Sequence, residues 1–290
     1  MAYYDFNSED TRAIQELNED LNLAESLRLK GPMGEFQREP FMYEVRKNLE
    51  GEYTGLICEG GVLKIDGKEK SGKSRVLGAA ASASLHTHGG YWDLPDQYPL
   101  FKYNKDLNEE KGFGLYIDTE NGGIEFETIQ RSILKSAGYD EAPDFYKCYP
   151  FRRFTDYIGK TRMLVKYIEE LANSRIGLDN LFLDVSTDFV NKVNDEDTAK
   201  EFWDLISKLS EKYKFCCLNT MHQNKGNDSS TGIFGGFADK KASYNSSIFS
   251  SSMDERLKIW TTKNTRLSES FRSMTFIFDE ITGLPVQHFG

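Results

Sequence analysis

The residues from Gly67 to Ser74 read Gly67-Lys-Glu-Lys-Ser-Gly72-Lys73-Ser74, which satisfies GxxxxGK[ST] at every fixed position. Three lysines and two glycines packed into one bend are costly as plain structure, because glycine is expensive to order and like charges repel. A bound polyanion removes both objections. Glycines let successive backbone N–H groups curl around phosphates, and the helix that follows adds its positive end. In this pattern Lys73 reaches the β- and γ-phosphates of a nucleoside triphosphate and the Ser74 hydroxyl ligates Mg²⁺. Gly67, Lys70, Ser71, Gly72 and Arg75 complete the expected cradle. ATP and Mg²⁺ are therefore the expected ligands.

Two acidic positions complete the chemistry. "NLFLDVS" ends an apolar run in Asp184, where a carboxylate would hold Mg²⁺ through water. The next residue is Val185, so no acid stands beside it to act as a base. "LYIDTENGG" offers one: Glu120 lies just past a strand end, where α/β sheets gather their active groups, and it could orient and deprotonate a water. Asp118 in the same turn reads as a brace for the loop.

These residues need strand tips to carry them, and the pattern supplies strands. "GGVLKID", "GFGLYIDTE", "DNLFLDVSTDF" and "FCCLNTMHQ" are apolar runs, separated by helical spans. The spans are Ser74–Leu85, "IEFETIQRSILKSAG" (Ile129, Ile133, Leu134 and Ala137 on one face), "DYIGKTRMLVKYIEELANSR" and "DTAKEFWDLISKLSEKYK". This alternation predicts an α/β fold with a mainly parallel central sheet covered by helices on both faces. The tail from Arg256 changes character and predicts two or three antiparallel strands. Residues 1–50 read as a helical lead-in arm, with Ile14, Leu17, Leu21 and Leu23 periodic after Ser8, and residues 51–290 as the main domain. Two segments, 86–113 and 222–256, lack a period and read as functional or mobile loops.

Composition narrows the class of partner. With 46 acidic against 36 basic residues the net charge is −10, which excludes a protein that coats nucleic acid over its whole surface but not a local basic path. No run of about 18 apolar residues and no signal-like start is present, and the four cysteines lack metal-ligand spacing. A cytoplasmic protein with reduced thiols and no membrane partner is expected.

The order of these motifs, with "NTMHQNK" closing the fourth strand, resembles the RecA-like P-loop ATPases over residues 50–287. The chain is most similar there to the RepA-like and KaiC-like branch of hexameric helicases and plasmid or mobile-element ATPases. The resemblance implies that Glu120 activates water and that His222 or Gln223 senses the γ-phosphate. It also implies that Lys263 and Arg266, in "WTTKNTRLSES", reach a neighbouring subunit's nucleotide as a finger, so that the chain acts as a homo-oligomeric ring. Single-stranded DNA is the implied partner of a mobile loop bearing Gly226, Gly232, Gly235, Gly236, Lys225, Lys240 and Lys241, although "GGFADKKA" more closely resembles an element packed behind that loop. The chain departs from the branch in its long, Tyr- and acid-rich 86–113 span, its lack of a separate DNA-binding domain and its acidity. These departures keep open a regulatory or assembly ATPase that does not unwind DNA. A small-molecule kinase would want an arginine-rich lid, and 222–256 holds only Arg256; a guanine reader would want Asp where "NKGN" has Asn227.

Overall fold

Side chains alternate along a strand, so an apolar run without alternation needs a core on each face of its sheet. A computed structural model describes residues 41–46, 52–86, 100–104, 111–223, 232–265 and 273–288, and it shows two such cores. Six strands run parallel in the order Tyr146–Pro150 (β6), Phe113–Asp118 (β5), Leu178–Asp184 (β7), Cys216–His222 (β8), Val62–Gly67 (β3) and Tyr244–Ser250 (β9). Lys258–Thr265 (β10), Ser273–Phe278 (β11) and Pro285–Gln287 (β12) extend the sheet antiparallel beyond β9. Neighbours in sequence serve opposite cores: Tyr116 and Phe182 lie in one, Leu115, Ile117, Leu181 and Leu183 in the other.

The helices follow from their caps and apolar faces. Lys73–Leu85 (α1) is built of small residues and is buried along most of its length, between the sheet and Gly123–Ala137 (α2). Ala-rich composition permits this close approach; at Gly78 an added Cβ would lie 3.3 Å from Ile133 and Leu284. On the other face lie Tyr157–Ala172 (α3), capped by Asp156, and Glu196–Tyr213 (α4), capped by Asp195. Gly232–Lys241 (α5) packs on α4 through Phe234, whose carbonyl accepts from Trp203 Nε1 at 3.2 Å.

A separate three-stranded antiparallel sheet joins Tyr53–Cys58 (β2), Phe41–Arg46 (β1) and Phe101–Tyr103 (β4). It docks at the N-terminal end of β7 through a chain of hydrogen bonds. Tyr43 OH donates to Asn180 Oδ1 (3.0 Å) and Asn180 Nδ2 to Tyr103 OH (3.2 Å). All the described residues belong to one unit, Glu39–Gly290.

Several expectations change here. Phe41–Arg46, read as part of the helical lead-in, is a strand, and Phe101–Tyr103 gives the 86–113 span an element of its own. The helix expected over residues 8–29 lies outside the described residues. The 222–256 segment, read as a loop, contains α5 and β9. No described helix is long and apolar enough to cross a membrane. All four cysteines are free thiols, three of them buried.

Candidate active site

The sheet topology places the P-loop at the tip of β3, a central strand, with the tips of β8, β7 and β5 beside it in that order. Ligands of open α/β sheets bind at this carboxyl edge. Gly67 ends β3, and an added Cβ there would lie 2.4 Å from Ser71 Oγ and 2.9 Å from the Ile248 carbonyl oxygen. Gly72, at the N-cap of α1, has φ 97°, and its Cβ would meet the Phe278 ring at 2.3 Å. Lys70 also takes a left-handed φ of 61°. Only a glycine suits Gly72 on both counts.

The side chains inside this bend fit a phosphate ligand. Lys73 Nζ donates to the carbonyls of Gly67 (3.0 Å) and Lys68 (2.9 Å), so the ammonium is held over the loop. Burial pulls Lys73 below its usual value, and the charges of Glu120, Asp184, Asp66 and Glu69 oppose that. A buried ammonium is favoured by added negative charge. Ser71 Oγ is buried and has no partner among the described residues, an acceptor-seeking hydroxyl in the cradle itself.

Asp184 lies fully buried at the tip of β7. Thr220 Oγ1 donates to its Oδ1 at 2.6 Å, Tyr116 OH to its Oδ2 at 3.3 Å, and the Ser74 hydroxyl also bonds to it. Burial, then the charge of Asp118, push its carboxyl up to about 6, against the lowering effect of Thr220 and Ser74. A carboxylate desolvated beside another acid is short of positive charge. Among the described residues no three His, Cys, Asp or Glu side chains gather as a metal cage. Ser74 and Asp184 are thus the protein groups that would hold Mg²⁺, with phosphate and water oxygens completing its shell.

Glu120 follows β5, whose tip is clamped to that of β7: Thr119 N donates to the Asp184 carbonyl at 2.6 Å, and Val185 N donates to Thr119 Oγ1 at 3.0 Å. Asp118 accepts from the backbone N–H of Glu120 (3.0 Å) and Asn121 (2.8 Å) and braces the turn. Glu120 meets His222 Nε2 at 3.4 Å. The His222 hydrogen bond holds the Glu120 carboxyl below its usual range, helped by the charges of His222, Lys73 and Arg152 and opposed by burial. Arg75 stacks on the Phe278 ring, 4.5 Å from its centroid, along the wall of a cleft of about 1220 Å³. That cleft is also lined by Lys70, Gly72, Lys73, Ser74, Glu120 and His222.

Not every expected residue joins this group. Gln223 turns its amide away: Nε2 donates to Asp66 Oδ1 at 2.7 Å, and the residue is buried. Alternation along β8 explains the correction, since His222 and Gln223 are consecutive and leave on opposite sides. Lys263 lies in β10 where its register with β9 shifts, between Thr262 and Asn264. Arg266 lies outside the described residues. Thr119, Tyr116, Thr220 and Arg152 were missed from the sequence; Tyr116 and Thr220 stand two residues before Asp118 and His222, a period-2 signal that could have found them.

No known family model matches the sequence, and no curated protein matches it. Among solved structures, the flagellar accessory protein FlaH from Methanocaldococcus jannaschii superposes with a TM-score of 0.52 at 13% identity, covering 80% of this chain and 91% of that one. The fold is RecA-like. In a RecA-like sheet the P-loop strand and its acidic neighbours converge at one edge, as β3, β5 and β7 do here.

Proposed function

We propose that this RecA-like chain binds Mg²⁺-ATP and hydrolyses it. One observation carries the reading: Lys73, Ser74, Asp184, Glu120 and His222, which come from three separate strand tips and the first turn of α1, meet in one place. The backbone amides of the loop and Lys73 hold the phosphates. Ser74 and Asp184 hold the Mg²⁺, whose charge would offset that developing on the phosphates. Glu120, ionised at neutral pH, accepts a hydrogen bond from the attacking water and turns its lone pair toward the γ-phosphorus. His222 fixes the Glu120 carboxylate from the other side at Nε2 and stands where a γ-phosphate would be sensed. Replacing Lys73 with Ala tests this directly: ATP turnover falls to background, and retained turnover would remove the assignment.

The output of that cycle is a further part of the proposal. Homo-oligomerisation, with Lys263 and Arg266 completing a neighbour's site, follows from the resemblance in sequence. For nucleic acid, two of the three lysines expected on a mobile loop, Lys240 and Lys241, count against a motor, while Lys225 lies outside the described residues. Lys241 pairs with Asp204 at 2.5 Å, and Lys240 lies over the Phe237 ring at 4.9 Å, both within the folded unit. These contacts favour a nucleotide-dependent regulatory or assembly ATPase over a helicase-like motor. FlaH is itself described as an accessory protein. Turnover measured with and without single-stranded DNA separates the two: indifference supports the platform, and marked stimulation restores the motor.

A further inference from the structure

The proposed site has a cation that the P-loop pattern does not contain. β6 is the edge strand of the sheet, and its last residue, Pro150, pairs in register with Asp118 at the tip of β5. The chain then makes one tight turn, Phe151–Arg153, whose first residue is buried against Phe154, Tyr167 and Phe189. Phe154 N closes the turn on the Phe151 carbonyl at 3.0 Å. This anchor fixes the base of Arg152 next to the turn that bears Glu120. The Arg152 guanidinium reaches Gly122: a Cβ added there would lie 3.4 Å from Nη1. Glu125 shares this corner, with its Oε2 3.0 Å from the same Cβ and accepting from Gly122 N at 2.9 Å, and among the described residues Arg152 forms no ion pair within 4.0 Å.

Strand order gives this position its meaning. Glu120 has Lys73 and His222 toward the β3 and β8 side, and Asp118 and Asp184 beneath it on β5 and β7. Arg152 comes from the opposite flank. Bound triphosphate would repel a carboxylate next to it, and Lys73 would be occupied by the phosphates. A second cation from the far side keeps the carboxylate where it is needed. We propose that Arg152 is a positioning residue that holds Glu120 against the negative charge of the triphosphate, within the same subunit. This rests on the hydrolytic reading above. It differs from the finger of the resemblance, which would come from a neighbouring chain.

The test compares steady-state ATP turnover with Mg²⁺ in the full chain for Arg152→Ala, Arg152→Lys, Arg153→Ala and Lys73→Ala. Arg152→Ala is expected to lower kcat about tenfold while leaving KM for ATP within about twofold, because the side chain acts on the water-orienting group and not on the nucleotide. Arg152→Lys, which keeps the charge, should recover most of the rate. Arg153→Ala, one residue along in the same turn, should match the wild type. Thermal unfolding of Arg152→Ala checks that the exposed substitution leaves the fold intact. An unchanged kcat in Arg152→Ala, a loss confined to KM, or an Arg152→Lys no better than the alanine variant would each overturn the proposal. Lys73→Ala separates the two levels. Turnover that survives it removes the hydrolytic reading itself, whereas its loss alongside a normal Arg152→Ala removes only the role of Arg152.

Discussion

At the scale of single residues, Asp184 shows how a site can be set against its fold. Its carboxyl is pushed up to about 6 by burial and by Asp118, from an ordinary 3.8. A raised acid contributes its full stability below the unfolded value and loses it as pH rises through the folded one. The nucleotide-free chain should therefore lose about 1–3 kcal/mol between pH 4 and 6 from this group. Asp184→Asn should melt a few degrees higher than wild type near pH 7.5, with the difference shrinking near pH 4, and should lose Mg²⁺-dependent turnover. Melting curves at both pH values check the sign; a destabilised Asn variant at neutral pH would refute it. Gly72 is a second case, since φ 97° and the 2.3 Å approach of a Cβ to Phe278 both oppose a side chain. Gly72→Ala should cost about 1–3 kcal/mol in denaturant unfolding and weaken ATP binding. Lys73, Ser74, Asp184 and Glu120 were legible because motif spacing or a strand end marks each one. Thr220, Tyr116 and Arg152 were not, because their relevance depends on which strands are neighbours, and a single strand's sequence does not carry that.

At the scale of elements, the least legible strand is the most informative. β9 reads "YNSSIFS", which looks like a polar linker, yet Asn245, Ser246 and Ser247 are buried. The two serines bond to the P-loop strand beside them, Ser246 Oγ donating to the Lys64 carbonyl at 3.0 Å and Ser247 Oγ to Asp66 Oδ1, while Asn245 Nδ2 donates to the Asp239 carbonyl of α5 at 3.1 Å. Lys64 in turn is wholly buried, 3.0 Å from Asp66 Oδ2 and paired with Asp239 of α5. β3 therefore carries an ion pair where an apolar parallel strand was expected, and β9 is polar to match it. Removing Lys64 takes the paired cation from a buried Asp66 and leaves the neutral donors Gln223 Nε2 and Ser247 Oγ to hold its charge. Lys64→Met should destabilise the chain by about 3–5 kcal/mol, and Lys64→Met with Asp66→Asn together by much less than the sum of the singles. Urea unfolding of the four proteins closes the cycle, and additive losses would show that the pair is not coupled. The strands β5, β7 and β8 were readable because each holds a short unbroken apolar run, Leu115–Ile117, Leu181–Leu183 and Cys216–Leu218, which a doubly covered sheet requires.

At the scale of the whole molecule, the fold class followed from alternating helices and apolar strands, whereas strand order and the small antiparallel sheet did not, since both depend on long-range pairing. The proposed ring has support of a different kind at the cleft itself. Ile124 is 83% exposed and Ile281 64% exposed, and both line the cleft that holds Lys73 and Glu120. Large apolar side chains left in water at the rim of an active site lose stabilisation that a covering surface would return, about 1.5–3 kcal/mol each when fully buried. A second copy of the chain is the cover that the finger resemblance calls for, because Lys263 and Arg266 would act on a neighbour's nucleotide. Ile124→Glu should then reduce the mass measured by light scattering with ATP and Mg²⁺, while a fluorescent ATP analogue still binds the separated chains. Arg266→Ala gives the sharper test when titrated into wild-type protein at constant total concentration. If each site needs an arginine from the next subunit, an inactive neighbour silences a normal P-loop, and turnover falls more steeply than the wild-type fraction. A strictly linear decline would mean that every chain completes its own site, leaving Arg152 and Lys73 as the cations that act there.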